Sequence, residues 1–122
     1  MPAWKILSVS LIAFVALISA HGAALHYYLY WRIFWFDNVS HLLGGLTVGL
    51  FIAWLYTVRS LPIGILPCMF VAFAIGAEWE VYEYVSRFPI SPFMSYPLDT
   101  AKDLLMDVIG GAMAWIVARR LV

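Results

Sequence analysis

Four apolar runs, each about 20 residues long, constrain this chain more than any other feature of its sequence, because a helix of that length crosses the hydrocarbon layer of a bilayer. The runs cover residues 4–30, 37–58, 61–84 and 100–118. Only 11% of the 122 residues are charged, whereas an average soluble domain has roughly 25%. The sequence therefore predicts an all-α fold, an integral membrane bundle of four transmembrane helices that forms a single domain over residues 1–122.

The segments around these runs are typical of a membrane surface. Lys5 and the apolar stretch that ends at Ala20 resemble a secretory signal, which we interpret as an uncleaved first helix. Aromatic residues gather at 27–36, as they do in interfacial belts. Residues 86–98 contain three prolines, so we expect a non-helical connection that lies on or dips into the interface.

The basic residues are too few and too scattered for nucleic-acid binding. Lysine plus arginine and Asp plus Glu number seven each, and no basic run occurs, which excludes nucleic acid and a polybasic lipid-binding tail. Four alternating helices put both termini on one side of the membrane. The basic residues on that side outnumber the others by one, which favours cytoplasmic termini: Lys5, Arg59, Arg119 and Arg120 against Arg32, Arg87 and Lys102.

The acidic residues converge on one membrane face. In an alternating bundle, the ends of the first and third helices and the starts of the second and fourth share that face. Every carboxylate of the chain and all three histidines fall at these ends: Asp37, Glu78, Glu80, Glu83, Asp99, Asp103, Asp107, His21, His26 and His41. Helical spacing lets the members of each set point in one direction, except Glu78, which faces away from the other glutamates. Since a lipid-facing charge costs several kcal/mol, we expect the remaining carboxylates to face the bundle interior.

Carboxylates packed together need cations, shared protons or water, because like charges raise one another's pKa. A divalent metal ion is the simplest solution, and Glu and His at i, i+3 and i, i+4 spacing hold such ions in four-helix bundles. We predict these ligands: Asp37, His41, Glu80, Glu83, Asp99, Asp103 and Asp107. Oxygen and nitrogen ligands leave Mg²⁺, Mn²⁺, Fe²⁺ and Zn²⁺ open, and the single cysteine, Cys68, sits in an apolar run where packing is its expected role.

Structural roles compete with this prediction. Asp37 and Asp99 precede helical runs and are candidate N-caps. Glu83 has the spacing of an ion pair with Arg87, and Lys102 has that of a pair with Asp99 or Asp103. His21 and His26 are expected to be interfacial or hydrogen-bonded packing residues, and the aromatic residues to be belt and packing residues. Glycines are expected to permit close helix contact at two places, Gly45/Gly49 and Gly110/Gly111.

Three spaced motifs resemble a known family. They are Asp37-x3-His41 followed by Gly44-Gly45, then Trp79-Glu80-x2-Glu83, then Asp99-x3-Asp103-x3-Asp107-x2-Gly110. Together they resemble a group of small bacterial inner-membrane proteins of unknown function, distantly similar to VanZ-like proteins. Glu83 and Asp107 are more acidic than the glutamine and asparagine usual in the VanZ-like pattern. The resemblance implies a bacterial inner-membrane location, an architecture and a residue set, but no reaction.

Three functions are compatible with these residues. The first is a metal-dependent hydrolase or phosphotransferase that acts on a lipid or lipid-linked phosphate, with Arg32 and Arg87 as phosphate contacts. The second is a cation- or proton-handling protein, although the opposite half of the membrane offers few polar side chains. The third is a structural or accessory subunit without catalysis, in which ion pairs hold four helices together and glycine faces support a homo-oligomer. Membrane lipids are expected partners in each case.

Overall fold

The computed structural model describes residues 2–122, and every regular element in that range is a helix. This confirms the all-α prediction. The helices follow the order α1 (Ala3–His26), α2 (Leu29–Arg32), α3 (Phe36–Val58), α4 (Ile65–Ser86) and α5 (Tyr96–Leu121).

Local backbone chemistry moves several helix ends from their predicted positions. The first run divides because Tyr28 adopts a left-handed conformation (φ 59°), so α1 ends at His26 and the short α2 follows. Helix α4 begins at Ile65 rather than at residue 61, just after a segment that contains Pro62 and Gly64. Helix α5 begins four residues before the predicted start, since Pro97 lies in the first turn, where a proline removes no intrahelical hydrogen bond.

The N-cap interpretation of the two early aspartates is wrong. Trp35 and Ser95 occupy the N-cap positions of α3 and α5, and neither makes a side-chain capping bond. Asp37 and Asp99 instead lie inside the first turns of these helices. Their carboxylates are therefore available to the bundle interior.

Three of the helices, α1, α3 and α4, are long and apolar enough to cross a membrane. Helix α5 is not among them, although it has 26 residues. Its first half carries Asp99, Lys102, Asp103 and Asp107, which lower its hydropathy even though they face the bundle rather than its surroundings. The predicted membrane location is thus supported by three spans, and a fourth span through α5 stays a prediction, as does the orientation of the termini.

Helix α3 lies at the centre of the bundle and contacts each of the other helices. Its closest neighbour is α5, and the glycines of both helices make this approach possible. A Cβ atom at Gly45 would overlap the carbonyl oxygen of Asp107, and one at Gly49 would lie 2.6 Å from the Cβ of Ala114. Gly110 and Gly111 pack in the same way against α3 and α4. The predicted close helix contact is therefore confirmed within one chain, and the homo-oligomer stays a prediction.

The half of the bundle away from the carboxylates is an apolar core. Its fully buried members are Ile6, Leu50, Ala53, Cys68, Ala114 and Ala118. Cys68 is 1% exposed, which confirms its packing role. The buried ionisable residues thus lie at the end where α1 and α4 finish and α3 and α5 begin.

Candidate metal centre

His41 is the central residue of the polar end. It lies about 7 Å along α3 from the start of that helix and is only 6% exposed. Its Nε2 atom faces one carboxylate oxygen from each of three helices. The distances are 3.5 Å to Asp37 Oδ1 on α3, 3.8 Å to Glu80 Oε1 on α4 and 3.4 Å to Asp103 Oδ2 on α5.

The other ring nitrogen of His41 is held from the opposite side. Its Nδ1 atom lies 3.2 Å and 3.3 Å from the two carboxylate oxygens of Asp107. The absence of a side chain at Gly76 makes room for this carboxylate, because a Cβ atom there would overlap Asp107 Oδ2. Asp107 therefore orients the imidazole ring and leaves Nε2 directed at the three other carboxylates.

Several buried carboxylate oxygens have no hydrogen-bond donor. They are Glu80 Oε1, Asp99 Oδ1 and both side-chain oxygens of Asp103. Asp103 is completely buried; its Oδ1 lies 3.2 Å from Lys102 Nζ and its Oδ2 lies 3.4 Å from His41 Nε2. A buried carboxylate without hydrogen bonds is costly to the folded protein even when a cation lies near it. The spacing of 3.4–3.8 Å around His41 Nε2 is also longer than a normal hydrogen bond.

Two of the three glutamates of α4, Glu80 and Glu83, are oriented by residues that the sequence does not single out as site residues. Trp79 donates its Nε1–H to Glu83 Oε1 at 2.6 Å, and Thr100 donates to Glu80 Oε2 at 3.1 Å. From the sequence alone, Trp79 is expected to be a belt or packing residue. Thr100 could have been found, because it precedes Asp103 by three residues and Asp107 by seven and so lies on their helix face.

Lys102 supplies the one strong cation of the cluster. Its Nζ atom lies 3.2 Å from Asp99, 3.2 Å from Asp103 and 3.5 Å from Asp37, which confirms the predicted pairing with the aspartates of α5. Six of the seven carboxylates of the chain meet here, whereas only Lys102 and His41 can carry positive charge among them. With all six ionised, the cluster would keep at least four uncompensated negative charges.

Three overlapping groups of side chains could each hold a metal ion. In each group, one ligand atom per residue lies within 4.8 Å of the others: Asp37, His41 and Asp103; His41, Glu80 and Glu83; Glu83, Asp99 and Asp103. Six of the seven predicted ligands belong to these groups. The seventh, Asp107, contacts the far side of the imidazole ring. The role of all seven residues as ligands stays a prediction.

Other sequence predictions lie outside this cluster. Arg87 is exposed at the C-cap of α4, with its guanidinium 5.6 Å from the centre of the Tyr84 ring, so the predicted Glu83–Arg87 ion pair is wrong. Arg32 is exposed and lies 3.5 Å from the carbonyl oxygen of Tyr27. The structure brings neither arginine into the cluster, and their phosphate role stays a prediction. Glu78 is exposed, as its helical angle predicts.

A second polar chain runs beside the cluster. His21 Nδ1 lies 2.7 Å from the hydroxyl of Tyr30, and that hydroxyl donates to Ser40 at 3.3 Å. The packing role predicted for His21 is therefore confirmed. Tyr30 lies outside the three apolar spans, and burial raises its pKa to about 12, so its hydroxyl keeps its proton at neutral pH. The sequence did not distinguish this tyrosine from its exposed aromatic neighbours.

A cavity of about 300 Å³ adjoins the cluster, within the size range of small-molecule pockets. Asp37, His41, Glu83 and Asp107 border it at the polar end. Much of the rest of its wall is apolar and comes from α1, α3 and α4, with His21, Tyr30, Ser40 and Thr47 as further polar lining residues. The cluster is thus buried, yet accessible from one side.

Comparison with known proteins identifies the chain only at the level of a family. Neither a search of curated proteins nor a search of solved structures finds a match. A family model described as "Predicted membrane protein (DUF2238)" matches residues 3–122, which is almost the whole chain. The distant similarity to VanZ-like proteins stays a prediction. With its three apolar spans and its buried carboxylates, the chain belongs to this DUF2238 family of predicted membrane proteins.

Proposed function

We propose that the carboxylate cluster around His41 binds a divalent metal ion and that the protein is a metal-dependent hydrolase or phosphotransferase for a phosphate borne by a lipid. One observation carries the proposal. Three carboxylate oxygens from three helices surround His41 Nε2 at 3.4–3.8 Å, while Asp107 holds the opposite ring nitrogen. Ligating histidines commonly have a carboxylate behind them in this way, which fixes the ring for the metal.

The spacing of these atoms supports a metal ion rather than direct hydrogen bonds. Ligands that lie about 2.0–2.2 Å from a zinc ion in a tetrahedral site are roughly 3.3–3.6 Å from one another. The Nε2-to-oxygen distances in this cluster, 3.4–3.8 Å, are close to that range. A cation would also bind Glu80 Oε1 and Asp103 Oδ2, which accept no hydrogen bond, and would reduce the excess negative charge. One imidazole with several carboxylates suits Zn²⁺, Mn²⁺ and Fe²⁺, and Mg²⁺ is the fourth candidate.

The cavity beside the cluster supports catalysis on a substrate rather than a purely structural ion. Glu83 borders this cavity and belongs to two of the three potential ligand groups, but its carboxylate is not one of the three that surround His41 Nε2. We assign to it the role of general base for a water at the metal, oriented by the Trp79 indole. The metal itself would supply the positive charge that a phosphate needs in this acidic environment.

The apolar core makes ion conduction through the bundle an unfavourable alternative function. Beyond the cluster, the buried residues of the bundle are aliphatic side chains, Cys68 and the hydroxyl residues Ser10 and Thr47, with no buried acid among them. A conduction path would need polar groups or water through this half of the molecule. The arrangement therefore favours binding at one end of the bundle.

Metal content gives the first test. The protein is purified without added metal, and its bound metals are counted by mass spectrometry before and after incubation with Zn²⁺, Mn²⁺, Fe²⁺ or Mg²⁺. We expect about one equivalent of one of these ions in the wild type, as the ligand set predicts. The loaded protein should release phosphate from phosphatidic acid in detergent micelles, and EDTA should stop the reaction. A protein that stays metal-free under all four conditions would contradict the proposal.

The role of Asp107 can be separated from that of a ligand. Asp107→Asn keeps the shape of the side chain but removes the charge behind His41, and loss of such a partner weakens metal binding about 10- to 100-fold. Isothermal titration with the preferred metal measures the change, and Glu78→Gln, at an exposed carboxylate outside the cluster, is the matched control. Complete loss of binding in Asp107→Asn would indicate that Asp107 is itself a ligand, as the sequence analysis predicted.

A further inference from the structure

The cavity beside the metal cluster lies in a gap between two helices. Helices α1 and α4 both pack against α3, yet no Cα atom of α1 comes within 8 Å of a Cα atom of α4. Residues from both sides of the gap line the cavity, including Phe14 and Ile18 of α1 and Ile75 of α4. These three side chains are about half exposed, so the mouth of the cavity lies between them.

This mouth faces hydrocarbon in a membrane. Both flanking helices are apolar enough to cross a bilayer, and the cavity-lining parts of α1 and α4 lie well inside them. A molecule that reaches the cavity through this gap therefore comes from the lipid phase. Water-soluble substrates would have to cross apolar surface to take the same route.

The lining changes from polar to apolar along the helix axes. Asp37 and His41 line the cavity near the start of α3, and Val48 lines it 11 residues after Asp37, which corresponds to about 16 Å along the helix. On α4 the same order runs from Glu83 near the helix end to Ala72 in its middle. The cavity thus has the polarity of a lipid in a bilayer, with the polar end at the surface and the apolar end inside.

Small residues keep the wall open beside the polar end. A Cβ atom at Gly44 would meet a single neighbouring atom within 4 Å, Asp107 Oδ1 at 3.9 Å, so this glycine borders free space. At the other two glycines of α3, Gly45 and Gly49, backbone or side-chain atoms of α5 already occupy the position of an added Cβ atom. The space beside Gly44 is therefore not taken up by helix packing.

We infer that this cavity binds one hydrocarbon chain of a phosphate-bearing membrane lipid, which enters sideways between α1 and α4 and brings its phosphate to the cluster at His41. For the phosphate end, the inference rests on the proposed function, because six carboxylates would repel a phosphate unless a metal ion is bound among them. Binding of the hydrocarbon chain depends only on the apolar part of the cavity wall. The shared chemistry, a hydrocarbon chain that ends in phosphate, is found in diacylglycerol phosphates and in isoprenyl phosphates.

Photo-crosslinking tests the inference. The metal-loaded protein in detergent micelles is illuminated with a phosphatidic acid that carries a diazirine on its acyl chain, and the labelled residues are mapped by mass spectrometry. We expect labels concentrated on the cavity-facing residues of segments 14–21 and 72–79. Val48→Phe should reduce this labelling about tenfold by filling the apolar end of the pocket. Val15→Phe, the same change at an exposed position of α1 that does not line the cavity, should leave it unchanged.

The controls separate this inference from the proposed function. Ile18→Trp narrows the same cavity from α1 and replaces Val48→Phe if that variant does not fold. Unlabelled dodecyl phosphate and farnesyl phosphate, added as competitors, identify the preferred type of chain. Labels spread evenly over the lipid-facing surface, or a Val48→Phe pattern equal to that of the wild type, would overturn the inference even if metal is bound. If the protein binds none of the four metals but is still labelled mainly at the cavity, the result would support the binding of a hydrocarbon chain there and contradict the proposed function.

Discussion

Asp103→Asn is expected to abolish metal binding, from about one equivalent in the wild type to none. Asp103 is fully buried, and its Oδ2, which accepts no hydrogen bond, lies 3.4 Å from His41 Nε2. It also belongs to two of the three potential ligand groups. Asparagine keeps its size but removes the charge, so a cation loses a ligand at the centre of the site. Metal content by mass spectrometry and titration calorimetry measure the loss.

The same variant distinguishes a metal site from a structural ion-pair network. If metal binds, a concentration of 100 times Kd stabilises the wild type by about 2.7 kcal/mol, and Asp103→Asn should lack this gain. In EDTA the variant should be at least as stable as the wild type, because it relieves repulsion among the remaining carboxylates. Thermal unfolding in detergent, with Glu78→Gln as the control, measures both effects. A variant that is destabilised equally with and without metal would favour the structural role through Lys102.

Gly45→Ala is expected to separate α3 from α5 and to destabilise the protein by about 3 kcal/mol, the upper end of the usual range for overpacking. The added methyl group would overlap the backbone carbonyl of Asp107, which cannot turn away as a flexible side chain could. Since Asp107 orients His41, the same displacement should weaken metal binding. The unfolding midpoint and the metal affinity are measured on the same sample.

Gly22→Ala is the matched control for this variant. Gly22 lies in α1 with no atom near the position of an added Cβ, and it is exposed. Alanine is favoured over glycine in a helix by about 1 kcal/mol, so the control should unfold at the same temperature as the wild type or higher. Equal unfolding midpoints for Gly45→Ala and Gly22→Ala would show that Gly45 of α3 does not lie against the Asp107 backbone of α5.

Much of the site follows from helical periodicity. The alternation of the helices and the i, i+4 spacing of Asp37 and His41 were sufficient to predict that carboxylates of α3, α4 and α5 would meet. The exclusion of Glu78 followed from its angle on the helix. N-caps and ion pairs were less predictable, because a carboxylate can cap a helix, pair with a cation or belong to the cluster. The sequence suggests Asp99 as an N-cap, but Ser95 occupies that position in the structure. It also suggests an Arg87–Glu83 ion pair, but the Arg87 guanidinium lies over the Tyr84 ring.

The amino-acid sequence by itself determined the helical architecture, the three helices long and apolar enough to cross a membrane and the end of the bundle at which the carboxylates collect, because these depend on local periodicity and hydropathy. Only the tertiary structure decided which ring nitrogen of His41 faces the carboxylates, that Trp79 and Thr100 orient the glutamates, and that a cavity opens between α1 and α4. These features depend on distances of a few ångströms between side chains far apart in sequence. Such distances are determined by how closely glycine lets α3, α4 and α5 pack.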